Sequence, residues 1–381
     1  MYTQREIVRI SKRENNTKRT YLVTNILQGK HVAVNPSKAL GMFDELAETL
    51  KQKYKNEKLL LIGFAETATA IGARVAIDLG AKYMQTTREK VNNEKYIFFT
   101  ESHSHATEQK LVESDVVKWI KWADRIIFVE DEVTTGNTIM KIVDILREKY
   151  SKEIKFSVAS ILNGMDEKAL NNYNEKNVAI HYLVKTDHST YPQRVENFVN
   201  DGSYEVEKID EKSNETPTIL PEIKEVQGYL NSRKVVDGKE YDKACYNLGK
   251  EISKLVKKDA KNILVMGTEE FMYPAIFTGK VIEDMGLDVK THSTTRSPIA
   301  VSASKDYLFH NRYEINSFYD SKRTTFIYDL SKYDQVIIVT DAGFNDKEKQ
   351  GEFLGNLGLL SLVKALEKVG NKEIVCVRWV R

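Results

Sequence analysis

Cysteine is nearly absent from this chain: there are two, Cys245 and Cys376, in 381 residues. Two isolated thiols make neither a disulfide framework nor a zinc site, so they read as core filler in a reducing compartment. Long apolar runs are missing too. No stretch reaches the roughly 18 apolar residues of a membrane span, and Met1 to Thr20 are polar and basic, without the apolar core of a signal peptide. The expectation is a cytoplasmic protein with no membrane contact. Neither sign of charge is in excess: 57 Lys and Arg against 55 Asp and Glu leave a net charge of +2, which removes the global electrostatic case for nucleic acid. No Gly-Lys-Ser or Gly-Lys-Thr occurs anywhere, so a Walker-type phosphate loop is excluded.

Proline is scarce as well, and two of the six, Pro217 and Pro221, fall in one acid-rich stretch of weak periodicity. That composition reads as a linker over 209–224, between domains 1–208 and 225–381. Each part is long enough to bury its own core.

What is present is concentrated in residues 125–138. The apolar residues Ile126, Ile127 and Val129 read as a buried strand, and Ile139, Ile142, Val143 and Leu146 recur at helical spacing. Between them stand Glu130, Asp131 and Glu132, then Val133 and the turn Thr134, Thr135, Gly136, Asn137 and Thr138. A turn that opens a helix offers unpaired backbone NH groups and the positive dipole end to a phosphate. Gly136 allows close backbone approach, the threonines add hydroxyl donors, and Glu130 with Asp131 can accept from the vicinal hydroxyls of a sugar. These parts, in this order, suit a sugar 5-phosphate.

Upstream, 59–62 is a short apolar strand, 63–67 a tight turn, and Ile71, Val75 and Leu79 mark a helix face that stops at Gly80. A second strand from Lys82 delivers Arg88. The C-terminal half echoes these landmarks in the same order: 263–267 echoes 59–63, Thr294-Thr-Arg296 echoes Thr86-Thr-Arg88, and 334–341 echoes 124–131. Such an ordered set points to a duplicated unit, against the alternative that any two strand-helix units look alike. After Asp341 the second half lacks the threonine hydroxyls. It reads as a degenerate partner.

The run of four apolar residues, two acids, two spacers and Thr-Thr-Gly-Asn-Thr at 134–138 resembles the phosphoribosyl-diphosphate (PRPP) loop of type I phosphoribosyltransferases. With 63–72, His103-Ser-His-Ala106, Thr295-Arg-Ser-Pro298 and Gly29-Lys-His31, the chain resembles one branch of that family. In this branch, a phosphoribosyltransferase domain is fused to a C-terminal domain named for its Thr-Arg-Ser-Pro (TRSP) signature, in bacterial tellurite-resistance and stress-response gene clusters. The resemblance implies an α/β fold with a Rossmann-like parallel sheet, followed by a second α/β domain, a degenerate repeat of the first. It also implies transfer of ribose 5-phosphate from PRPP to a small acceptor, orotate-like or other, with Mg²⁺ and release of pyrophosphate.

Carried over residue by residue, the resemblance places Glu130 and Asp131 at the ribose and Mg²⁺, directly or through PRPP hydroxyls, and 133–138 around the 5-phosphate. Phe64, Ala65, Glu66, Thr67 and Arg88 face pyrophosphate, the backbone NH groups of 65–67 among them. Glu66 departs from relatives that carry a cation in this turn; it stands either beside Mg²⁺ or as a first-turn acid that complements the helix dipole. Ser102, His103, Ser104, His105 and Lys110 fall in the segment that closes as a lid. The two histidines suit proton transfer or donation to pyrophosphate, while a His-x-His metal site lacks a third ligand nearby. Thr134, where 6-oxopurine enzymes carry aspartate, argues against that acceptor; Glu132 is a replacement acid or a solvated turn acid. Lys30, His31 and Asn163 are the acceptor candidates. A homodimer and an internal pairing of the two halves both remain open, as does a C-terminal half serving as an interaction module.

The alternative is a PRPP-sensing regulatory or interaction protein without turnover. That function calls for a helix-turn-helix or a coherent basic face, and the sequence has neither. Lys254, Lys257, Lys258 and Lys261 form a modest cluster that reads as a solvated helix face.

Overall fold

The structure is a computed structural model and describes residues 2–14, 19–99, 109–150, 153–210, 217–344 and 356–381. The chain forms two compact α/β units. The first comprises Met1–Glu6, Leu40–Asp187 and Leu230–Ala244; the second comprises Ile7–Ala39, His188–Tyr229 and Cys245–Arg381. Neither unit ends at the acid-rich segment that composition marks as a linker. The strand Glu222–Gln227 begins in the last three residues of that segment and pairs in parallel with Ile374–Val380. It is an edge strand with a mostly exposed face, and polar composition is what a sheet edge in water requires.

The first unit is built on a sheet of six strands. From one edge to the other they are Val236–Asp237, Lys82–Gln85, Leu59–Gly63, Arg125–Val133, Lys155–Asn163 and Val178–Lys185, all parallel except the first. The two central strands are apolar from the second shared position onward, 60–63 beside 126–129, as in a sheet with helices on both faces. Leu60, Leu61, Ile62, Ile126, Ile127, Phe128 and Val129 are fully buried.

The second unit repeats this order. Asn262–Gly267 lies between Asp288–Ser293 and Gln335–Thr340, followed by Ile374–Val380 and the edge strand Glu222–Gln227, all parallel. The three strands at or before the echoed landmarks therefore occupy the same places in the two sheets. Only the fifth differs in origin, coming after the fourth in the first unit and before all the others in the second. Antiparallel pairing joins Val8–Lys12 to Tyr21–Asn25, within the second unit. Among the described residues no helix is long and apolar enough to cross a membrane.

One buried histidine in each unit, His181 in the first and His292 in the second, has its pKa held down. His181 takes Tyr54 Oη at 2.7 Å from Nε2, and burial, with the charges of Lys53 and Arg125, holds its pKa down at about 4. His292 is held down to about 4, again chiefly by burial. Because both folded values lie below the unfolded value of about 6.5, the unfolded chain binds the extra protons as pH falls. The histidine contribution to stability is whole above pH 6.5 and is lost progressively between 6.5 and 4. Thermal unfolding from pH 7 to 4 should show this loss, and His181→Asn should flatten the profile of the first unit.

Candidate active site

The acids of the central strand emerge where its neighbour has ended. Gly63, the last residue of Leu59–Gly63, is level with Val129. Glu130, Asp131 and Glu132 follow, half-buried, and on this side they pass above the end of the neighbouring strand. Glu130 is paired in register with Ser160, and Glu132 with Leu162. The Glu130 carboxyl is pushed well above the usual range, first by desolvation and then by the charge of Asp131. Two acids so placed favour a cation or several hydroxyl donors between them.

The strand runs to Val133, and the helix Asn137–Lys149 begins after Gly136. Gly136 has φ +70°, in the left-handed region, and as the N-cap has no side chain of its own to cap the helix it precedes. Thr134 and Thr138 are half-buried, and Thr135 and Asn137 are exposed. The turn thus presents hydroxyls and helix-start amides, which is the arrangement an anion favours.

The turn that follows Leu59–Gly63 lies against this strand. Phe64 N donates to Val129 O at 3.0 Å, and Thr67 Oγ1 donates to Asp131 Oδ1 at 2.8 Å. The Ala65–Glu66 peptide is cis. The helix Thr69–Asp78 packs tightly on the turn, since a Cβ on Gly72 would stand 2.8 Å from Gly63 Cα. Of the amides expected to face a leaving group, that of Ala65 is committed to Thr86 Oγ1 at 2.8 Å. Glu66 is buried, at 7% exposure, just before the helix Thr69–Asp78.

Arg88 follows the strand Lys82–Gln85 by three residues, in a loop pinned by backbone bonds between Thr87 and Lys110 in both directions. Lys110 belongs to a hairpin stem, Tyr96–Phe99 paired with Gln109–Val112, and its ammonium lies over the Tyr96 ring. Gln109 Oε1 accepts from Thr86 Oγ1 at 2.8 Å. The stem of the expected lid is therefore tied to the strand end that carries Arg88. Ser102, His103, Ser104 and His105 lie outside the described residues.

Asn163 ends the strand beside Val133 and is fully buried. Its Oδ1 accepts from Met165 N at 3.1 Å and from Lys185 Nζ at 3.0 Å, which fixes the amide with its NH₂ as the remaining donor. Lys185 was not distinguished by the sequence; an exposed lysine at the end of an alternating strand carries no signal by itself. The other acceptor candidates are built into the second unit. Lys30 has no exposure and donates to Glu269 O and Thr294 O at 2.6 and 2.7 Å, and His31 Nε2 lies 3.3 Å from Thr295 Oγ1.

The second unit fills the equivalent strand ends with its own side chains. Asp341 accepts from Tyr319 Oη at 2.6 Å and Tyr229 Oη at 2.7 Å, so phenols stand where sugar hydroxyls would be bound. Arg296 of the signature donates to the fully buried Glu269 at 2.7 Å, joined by Arg323 at 3.0 Å and Ser317. In the basic cluster, Lys254 pairs with Glu251, and Lys257 with Glu373.

Comparison with known proteins finds two family models along the chain. The phosphoribosyl transferase family model matches residues 7–189, and the model of the TRSP domain C-terminal to that transferase matches 233–357. No curated protein matches the chain. Among solved structures, the adenine phosphoribosyltransferase of Giardia lamblia complexed with 9-deazaadenine is 13% identical, over 48% of this chain and 94% of that one, with a TM-score of 0.33. That of Rhodothermus marinus is 12% identical, over 48% and 96%, with a TM-score of 0.35. The Trypanosoma brucei adenine enzyme, in complex with AMP, pyrophosphate and ribose 5-phosphate, is 15% identical, over 47% and 77%, with a TM-score of 0.34. Likenesses of this size fix neither acceptor nor mechanism. The two matched domains, in this order, identify the chain as a phosphoribosyltransferase of the family that carries a C-terminal TRSP domain.

Proposed function

We propose that the first unit transfers the ribose 5-phosphate of PRPP to a small nucleophile. The bond from C1 to the pyrophosphate oxygen breaks with its electron pair leaving on pyrophosphate, and a new bond forms from C1 to the acceptor, which gives up a proton. The observation that carries this reading is the bond from Thr67 Oγ1 to Asp131 Oδ1, which ties the pyrophosphate turn to the ribose acids. Glu130 and Asp131 orient the ribose hydroxyls, residues 133–138 anchor the 5-phosphate, and Arg88 suits bidentate contact with pyrophosphate oxygens.

Mg²⁺ fits this donor set. The mutual repulsion and desolvation of Glu130 and Asp131 are relieved by a divalent ion, directly or through the ribose hydroxyls. Among the described residues no group of three or more His, Cys, Asp or Glu side chains is placed to hold a metal alone, so PRPP oxygens would complete its coordination. Bound there, Mg²⁺ supplies neutralisation of the developing pyrophosphate charge.

For the acceptor, the proposal keeps Asn163, whose amide NH₂ is held toward donation, and adds Lys185 as its orienting partner. Both favour an acceptor molecule with a carbonyl or carboxylate oxygen, as in an orotate-like compound. Lys30 and His31 have partners within the second unit and are not used in this reading. A cytoplasmic setting and a part in the stress-response clusters belong to the same reading. The test is pyrophosphate release from Mg²⁺-PRPP by the full chain, screened over bases, amines and small acids. Release dependent on one acceptor class is expected; PRPP binding that alters nucleic-acid affinity without release would favour the regulator instead.

A further inference from the structure

Tyr173 lies on the helix Glu167–Glu175, 37 residues from the glycine it touches. Its Oη donates to Gly136 O at 2.6 Å, and its ring stands so close that a Cβ on Gly136 would lie 2.3 Å from Oη. It is fully buried, and its phenol pKa is pushed up first by burial and then by the charge of Glu130. The phenol therefore lies at the carbonyl of the phosphate turn and within the field of the ribose acid.

Gly136 O has a second donor, Met140 N at 2.9 Å. The start of the helix is satisfied without the phenol, so the hydroxyl is surplus to the helix itself. What it adds is direction. Gly136 C=O and Asn137 N–H belong to one planar trans peptide and point opposite ways. Holding the carbonyl toward Tyr173 turns the Asn137 N–H away from it, into a long contact of 3.4 Å with Thr135 Oγ1. A contact of that length is readily given up to a phosphate oxygen.

We propose that Tyr173 is a positioning residue for the 5-phosphate: by fixing the Gly136 carbonyl it aims the Asn137 amide at the phosphate. This rests on the PRPP reading of the site. It adds a residue outside the sequence motif, on an element that the motif does not specify.

The experiment titrates Mg²⁺-PRPP, ribose 5-phosphate and pyrophosphate into the full chain and into Tyr173→Phe. Ribose 5-phosphate and PRPP should bind roughly tenfold more weakly, the effect of one lost buried hydrogen bond, with pyrophosphate unchanged. Asn137→Pro removes the amide hydrogen at the first helical position, and thermal unfolding separates that loss from the crowding a proline imposes on the preceding Gly136. This variant should give the same selective loss, and the double variant should lose little more, because both changes remove one interaction. Equal weakening of all three ligands would reduce Tyr173 to packing. No weakening of ribose 5-phosphate, or fully additive losses, would overturn the proposal. If the unaltered chain bound neither PRPP nor ribose 5-phosphate, the site reading itself would fall first.

Discussion

Asp131→Asn should lower PRPP-dependent pyrophosphate release by two orders of magnitude or more, the scale of a lost charged contact at the reacting group, while Asp341→Asn leaves it within about twofold. The two acids occupy corresponding places at the ends of Arg125–Val133 and Gln335–Thr340, so the contrast lies in their surroundings. Asp131 is half-buried, accepts one hydroxyl from Thr67, and sits beside Glu130. Asp341 has both oxygens engaged by Tyr319 and Tyr229. Its replacement costs stability in the second unit and leaves the transferase chemistry alone. Asparagine at 131 keeps an oxygen for Thr67, so the fold should survive. A second readout follows from the pair. The charge of Asp131 is the next cause after burial that raises the Glu130 carboxyl, so its removal should move the acid limb of any residual activity to lower pH. Equal losses at 131 and 341 would show that the second unit is not degenerate.

Gly136→Ala should abolish measurable PRPP binding, a loss of at least about a hundredfold. Two costs combine at this residue. A side chain at φ +70° meets left-handed strain of about 1–2 kcal/mol, and the new Cβ stands 2.3 Å from Tyr173 Oη, an overlap with a fully buried ring. Overpacking of that kind costs about 1–3 kcal/mol. Relief requires the turn to move, and the turn is what anchors the 5-phosphate. Gly286→Ala provides the control: its φ is +87° but nothing lies within 4 Å of the added Cβ. It should cost about 1 kcal/mol of stability through strain alone and leave PRPP binding unchanged. Calorimetric titration with PRPP and thermal unfolding of both variants separate the two effects.

The motif at 125–138 was legible because its chemistry is local. An apolar strand, two acids, a glycine turn and a helix face occupy consecutive residues, and the structure places each where its spacing indicates. Asp288–Ser293, Asn262–Gly267 and Gln335–Thr340 lie in the same order as Lys82–Gln85, Leu59–Gly63 and Arg125–Val133, the strands at or before the echoes at 263–267, 294–296 and 334–341. The acid-rich stretch was harder to read, because an exposed edge strand and a linker share a polar composition; pairing of Glu222–Gln227 with Ile374–Val380 is a contact over 153 residues in the case of Glu225 and Arg378. Tyr173 and Lys185 gave no signal at all. Each acts on a residue of another element, and no periodicity records such a meeting.

The sequence by itself determined the transferase family, the strand-turn-helix that holds the acids, and the absence of Thr-Thr-Gly-Asn-Thr after Asp341, because these depend on residue types at short separations. Only the tertiary structure decided which side chains hold that turn in place, and how the remaining candidates are used. It brought Thr67 to Asp131 and Tyr173 to Gly136, turned Asn163 toward donation, and spent Lys30 on the carbonyls of Glu269 and Thr294. Those outcomes depend on which strand ends become neighbours, and that is settled by packing over long separations in the chain.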